Sequence, residues 1–155
     1  MELADILSED SVIVCSGLKA KADVLRQLAQ RAAKVSGCDV DHIFEALSDR
    51  EALGSTGLGN GIAIPHGKLA GLDGVTAVFA RLDEPIDFEA VDDQPVDLFM
   101  MLLAPVGAGA DHLKALARVA RLLRNEGTVE ALRRARDAAG LYAILTQPLP
   151  ATKAA

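Results

Sequence analysis

The sequence predicts a single α/β domain built on a mixed β-sheet. Helix-like and strand-like hydrophobic periodicities alternate along the chain, the signature of helices packed on a sheet. Its 155 residues fit one domain, large enough to bury roughly 68–70% of the unfolded surface. With 50% hydrophobic and 25% charged residues, the composition is globular and argues against wholesale disorder. Trp is absent and aromatic residues are only 3%, which predicts an aliphatic core and counts against base-stacking platforms and aromatic-lined ligand pockets.

Val12-Ile13-Val14 is a β-branched run that reads as a strand closed by Ser16-Gly17. From Lys19 the pattern turns helical, with Ala22, Leu25, Leu28-Ala29, Ala32 and Val35 on one face and Gly37 as the stop. Asp39 is a candidate N-cap for a second helix whose apolar face is Val40, Ile43, Phe44 and Leu47, ending near Arg50. Gly54 to Gly61 holds four glycines in eight residues and is expected to be a loop. Ile62-Ala63-Ile64 reads as a strand end stopped by Pro65, which cannot donate to a sheet ladder. After a turn at Gly71 to Gly74, Val75 to Ala80 reads as a strand, and Val96 to Leu103 as a central strand covered on both faces. Pro105 to Ala110 is a small-residue loop. A helix follows with Leu113, Leu116-Ala117, Ala120 and Leu123 expected inward and Lys114, Arg118, Arg121 and Arg124 outward. Thr128 and Asp137 are candidate caps for two short last helices, with Leu132, Leu141, Ile144 and Leu145 buried, and residues 148–155 are expected to be a flexible tail.

Sixteen basic against 22 acidic residues give a net charge of −6, the wrong sign for a surface that tracks nucleic acid. The charges are uneven. Seven carboxylates fall between Arg81 and Phe99, and seven bases between Asp111 and Asp137, both candidate partner surfaces. Cys15 and Cys38 have no metal-ligand or CxxC spacing and read as reduced core residues. The N-terminus lacks a basic, apolar signal pattern, and Leu98 to Val106 falls short of the about 20 residues that span a bilayer. A cytoplasmic protein without membrane insertion is expected.

The chemistry-bearing stretch runs from Arg50 to Lys68. His66, one of three histidines, stands between Pro65 and Gly67, just past a strand and downstream of the glycine-rich loop. A neutral imidazole there has a lone pair for nucleophilic, base or metal-ligand work, although a lone histidine in a turn is more often only structural. Metal binding is disfavoured because His42, His66 and His112 are widely separated. Nucleotide binding is disfavoured too: the glycine loop is not GxGxxG, and Gly61 to Lys68 has five residues between its glycines where a P-loop has four. A nucleotide-sensing module on this loop survives only as a third reading. Phosphoryl acceptance by His66 fits best, with Arg50, the hydroxyls of Ser55 and Thr56 and the backbone N–H groups of Gly54 to Gly61 as an anion cradle, and Gly67 letting the backbone come close to whatever meets the ring.

Arg50-Glu51, Gly54-Ser-Thr-Gly-Leu-Gly-Asn-Gly61 and Ile64-Pro-His-Gly-Lys68 resemble the signature of the mannitol/fructose class of enzyme IIA domains of the bacterial phosphotransferase system, most of all its nitrogen-related branch. The resemblance extends through PIDFEAVDDQPVDLFMMLLAP and HLKALARVARLL, over residues 1–147. It implies a mixed sheet with helices on both faces and a phosphoryl acceptor at Nε2 of His66, supported by Arg50 and His112. Beside these, Ser55, Thr56, Gly57 and Gly67 are candidate phosphoryl-binding positions on the residue reading. The resemblance also implies an HPr-like carrier, NPr, as donor, regulatory target proteins read by phosphorylation state, and no cofactor or metal. A sugar-specific IIA subunit passing its phosphoryl group to a IIB protein is the alternative. One departure stands at Ala20-Lys21, where relatives often carry Ser-Lys, which removes a helix cap.

Overall fold

The computed structural model describes residues 2–147, so the expected tail at 148–155 lies outside the described residues. Six strands, β1 (Val12–Cys15), β2 (Gly57–Gly59), β3 (Ile62–Ala63), β4 (His66–Leu69), β5 (Thr76–Ile86) and β6 (Val96–Pro105), form one sheet. Five α-helices, α1 (Lys21–Ser36), α2 (Val40–Ala52), α3 (Gly109–Leu123), α4 (Glu126–Arg134) and α5 (Ala138–Thr146), cover it.

The sheet is ordered β1-β5-β6-β3-β2, and it is mixed: β6 runs antiparallel to β5 but parallel to β3 and β4, while β1 is parallel to β5. On its far side β6 carries two partners in series, β3 at Leu98 and Phe99, then β4 from Leu102 to Pro105. Period-two alternation divides its side chains. Phe99, Met101 and Leu103 join the core beneath α1 and α2, and Leu98, Met100 and Leu102 join the core beneath α3, α4 and α5. All six are fully buried, each contributing about 1.5–3 kcal/mol of transfer free energy. Helices therefore cover both faces, as expected.

Several local expectations are corrected. The glycine-rich segment is not all loop. Asn60 (φ 58°) and Gly61 (φ 78°) form a tight turn that joins β2 to β3 in an antiparallel hairpin. Arg133 fastens that turn by donating to the Asn60 carbonyl at 2.7 Å while pairing with Asp97 at 2.9 Å. Pairing resumes beyond Pro65, so His66 opens a strand and does not merely follow one. β5 continues past Ala80 to Ile86 across a register shift, taking Asp83 and Glu84 into the sheet.

The inward face of α3 is rotated from the expected one: Ala115, Val119, Leu122 and Leu123 are buried with His112, whereas Leu113 is 66% exposed. Asn125, not Thr128, caps α4 by accepting the Thr128 N–H at 3.0 Å. Asp39 and Asp137 cap α2 and α5 as expected. Ala20 leaves α1 without a side-chain cap, and only the reciprocal half of that motif survives, Asp23 accepting the Ala20 N–H at 3.1 Å. Cys15 and Cys38 are free and half-buried at the core's margin, and burial raises the Cys15 thiol pKa.

Gly57 is required by packing. A Cβ there would stand 2.7 Å from the Ala90 Cβ and 2.8 Å from its Cα, closer than side chains tolerate. Gly57→Ala is expected to lose about 1–3 kcal/mol in urea unfolding. At Gly74 an added Cβ meets nothing within 4 Å, and Gly74→Ala is expected to stay within about 0.5 kcal/mol of the parent.

Candidate functional site

At the edge strand β4 an open cleft of about 630 Å³ wraps around the sheet margin. One wall is α2, whose residues His42, Glu45, Asp49 and Arg50 recur at helical spacing along one stripe that Leu53, its C-cap, extends. The floor is His66, Gly67 and Lys68 of β4, and His112 from the first turn of α3 completes the other wall. Register explains why α3 can reach the ring. His66 pairs with Leu102, whose side chain belongs to the core under α3, so His66 leans to that face while Gly67 meets α2. The lack of a side chain at Gly67 lets α2 approach: a Cβ there would lie 3.4 Å from Ala46 backbone and side-chain atoms.

His66 is half-buried, and its Nδ1 lies 2.9 Å from the Ile64 carbonyl oxygen. A carbonyl can only accept, so Nδ1 carries the proton and Nε2 keeps the lone pair. The His112 ring stands with its centroid 5.6 Å from that of His66, tilted by 49°. It is 7% exposed, and its Nδ1 is buried with no hydrogen-bond partner among the described residues. Burial first, then the neighbouring His66 imidazole and the Lys68 ammonium, which both disfavour a charge on this ring, lowers the His112 pKa. A neutral His112 protonated on Nε2 leaves only a lone pair buried at Nδ1, cheaper than an unpaired N–H.

Arg50 is held by its donation to the Gly54 carbonyl at 2.8 Å, and it lines the cleft beside Lys68 with neither cation paired to a carboxylate among the described residues. Two cations beside one free imidazole nitrogen suit a dianionic group. The remaining cradle positions lie elsewhere. The Ser55 hydroxyl donates to the Phe88 carbonyl at 2.8 Å, the Thr56 hydroxyl donates to Glu51, and the Gly57 N–H donates to Ser55 Oγ at 3.1 Å. All three sit outside the cleft with these donors already used, whereas Gly67 lines it. His42 lines the cleft's wall with a largely exposed ring.

Glu51 escaped the sequence reading. It is 7% exposed, and the signal was present, because Ile43, Leu47 and Glu51 are spaced by four and put the carboxylate on the buried stripe of α2. The same spacing logic, phased on Ala115, Val119 and Leu122, places His112 inward. Among the described residues no three His, Cys, Asp or Glu side chains converge as metal ligands, and no helix is long and apolar enough to cross a membrane. Part of the two charged regions is internal structure. Asp92 accepts the Asn60 and Gln94 N–H groups, which lowers its pKa, Asp97 holds Arg133, and Arg118 pairs with Glu2 at 3.0 Å.

Residues 5–147 match the family model described as phosphoenolpyruvate-dependent sugar phosphotransferase system, EIIA 2. The chain is 49% identical over 154 residues to a nitrogen regulatory protein of Bradyrhizobium diazoefficiens, covering 99% of this chain and 100% of that protein. A nitrogen regulatory protein of Klebsiella oxytoca is 40% identical over 152 residues, 95% of this chain and 91% of its own. The crystal structure of nitrogen regulatory protein IIA-Ntr from Neisseria meningitidis superposes with a TM-score of 0.86 at 35% identity, over 93% of this chain and 99% of that one.

The direction of the His112 shift has a measurable consequence. As pH falls below its ordinary value of 6.5, the unfolded chain takes up this proton before the folded chain does. Stability is therefore expected to fall as pH drops from 6.5 towards the lowered folded pKa, and this contribution is flat above 6.5. Thermal melts between pH 5 and 8 are expected to show that loss, with a shallower slope in His112→Gln.

Proposed function

Because the chain belongs to the phosphotransferase-system EIIA 2 family, we propose that it is a regulatory phosphocarrier whose His66 accepts a phosphoryl group on Nε2. The observation that carries this reading is the Nδ1–H bond to Ile64, which leaves Nε2 as the nucleophilic nitrogen of a ring that lines an accessible cleft. The donor is an HPr-like carrier, NPr, bearing a phosphohistidine. In the transfer, the His66 Nε2 lone pair forms the new P–N bond as the donor's P–N bond breaks, and the donor ring leaves as neutral imidazole. The His66 ring becomes cationic and keeps its Nδ1 proton, which the Ile64 carbonyl holds more strongly as that charge develops. Arg50 stabilises charge on the phosphoryl oxygens, and His112 donates a hydrogen bond to them.

Regulation follows from the charge. Transfer places about two negative charges on the phosphoryl oxygens and one positive charge on the ring, a net gain of about one negative charge in a cleft edged by Glu45 and Asp49, so target proteins meet a different potential in the two states. Full-length similarity to nitrogen regulatory proteins supports this reading over a sugar-transport subunit. A sugar-specific subunit would instead pass its label to a IIB protein.

With phosphorylated NPr as donor, the wild-type chain is expected to gain one acid-labile phosphate and His66→Ala none. Arg50→Ala is expected to slow uptake by about 10–100-fold. Full labelling of His66→Ala contradicts the assignment, and efficient loss of label to a IIB domain favours the transport reading.

A further inference from the structure

The Glu51 carboxylate sits in α2 next to Arg50 of the cleft wall, its side chain 4% exposed, and its partners are Lys21 and Thr56. Oε1 accepts the Thr56 N–H at 3.2 Å and pairs with Lys21 Nζ at 3.0 Å, while Oε2 accepts the Thr56 hydroxyl. From Thr56 the connection continues. Its carbonyl accepts the Ile64 N–H at 3.1 Å, and the Ile64 carbonyl accepts Nδ1–H of His66 at 2.9 Å. Ile64 precedes Pro65, which has no N–H and a fixed φ, so few other bonds orient that carbonyl.

A buried carboxylate is costly unless it is paired and its lone pairs are used. The Lys21 pair joins α1 to α2 and uses Oε1, leaving Oε2 to be satisfied elsewhere. The two bonds to Thr56 go further, because they hold the residue whose carbonyl fixes Ile64. We infer that Glu51 is a positioning residue for His66: it pins Thr56, Thr56 pins Ile64, and Ile64 sets the tautomer and orientation of the imidazole. The effect is mechanical, since the linked N–H and carbonyl groups at Thr56 and at Ile64 belong to different peptide units. A second arm runs beside it, the Glu51 carbonyl accepting the Gly54 N–H at 3.1 Å while the Gly54 carbonyl holds Arg50.

This inference rests on His66 being the acceptor, but its primary readout needs no phosphoryl donor. Two-bond proton–nitrogen NMR of the full 15N-labelled chain reports which His66 nitrogen carries the proton. Wild type is expected to hold the Nδ1–H form. Glu51→Ala and Thr56→Val are expected to shift the ring towards the Nε2–H form, with Glu51→Gln intermediate because it keeps one acceptor oxygen. Phosphoryl uptake from phosphorylated NPr is expected to fall by about tenfold in step with the tautomer. If Glu51→Ala does not fold, Thr56→Val and Glu51→Gln decide. Folded variants with a wild-type His66 tautomer, and effects on melting temperature alone, overturn the inference. A wild-type chain that takes up no phosphate at His66 would instead overturn the functional reading and leave the tautomer result standing.

Discussion

The whole arrangement depends on β6 being dry on both faces. A strand buried among Leu, Met and Phe side chains must satisfy its backbone within the sheet, because an unpaired peptide group there costs about 1–3 kcal/mol. On one side β5 pairs with it from Leu103 to Leu98 and again at Val96, across a register shift. On the other side no single strand is long enough, so β3 and β4 dock one after the other with Ile64-Pro65 between them. Proline tolerates that break, having no N–H to lose, and its carbonyl still accepts the Leu102 N–H at 2.9 Å. The histidine after it is thereby fixed opposite Leu102 on an edge strand, where one flank of the backbone is open to solvent and to partners.

That placement suits the acceptor role proposed for His66, which has two needs. The nucleophilic nitrogen has to be accessible to another protein, yet the ring has to hold one tautomer and one orientation. Edge position meets the first need, and the bond from Nδ1 to Ile64 meets the second. The supporting groups come from both layers of the fold, Arg50 from the helices on one face and His112 from those on the other. In the proposed role a buried, neutral His112 adds a donor without adding a charge, and Arg50 and Lys68 are the cations that line the cleft.

The fold was legible in the sequence wherever periodicity was long. The aliphatic run of β6 and the amphipathic α1 and α2 declare themselves because burial repeats over many residues. Short elements were harder. The hairpin about Asn60-Gly61 hid within glycines that read as loop, though Asn-Gly is itself a hairpin signal. The phase of α3 was misread because Leu113 looked like a core residue, when its exposure follows from His112 and Ala115 taking the inward stripe. Within the site, His66 and Arg50 were legible from local chemistry, and His112 only through family resemblance. Ser55, Thr56 and Gly57 were singled out for their donors, yet tertiary bonds to Phe88 and Glu51 decide where those donors go. Partners 33 residues apart, as in the Ser55 and Phe88 contact, leave no trace in local spacing.

The central claim is that Nε2 of His66 is the nitrogen that carries the phosphoryl group. It is tested most directly by phosphorus–nitrogen coupling in NMR spectra of the 15N-labelled, phosphorylated chain. One phosphorus nucleus coupled to Nε2 of His66 is expected, with the proton retained on Nδ1. Phosphorus coupled to Nδ1 of that ring, or to another residue, would contradict it.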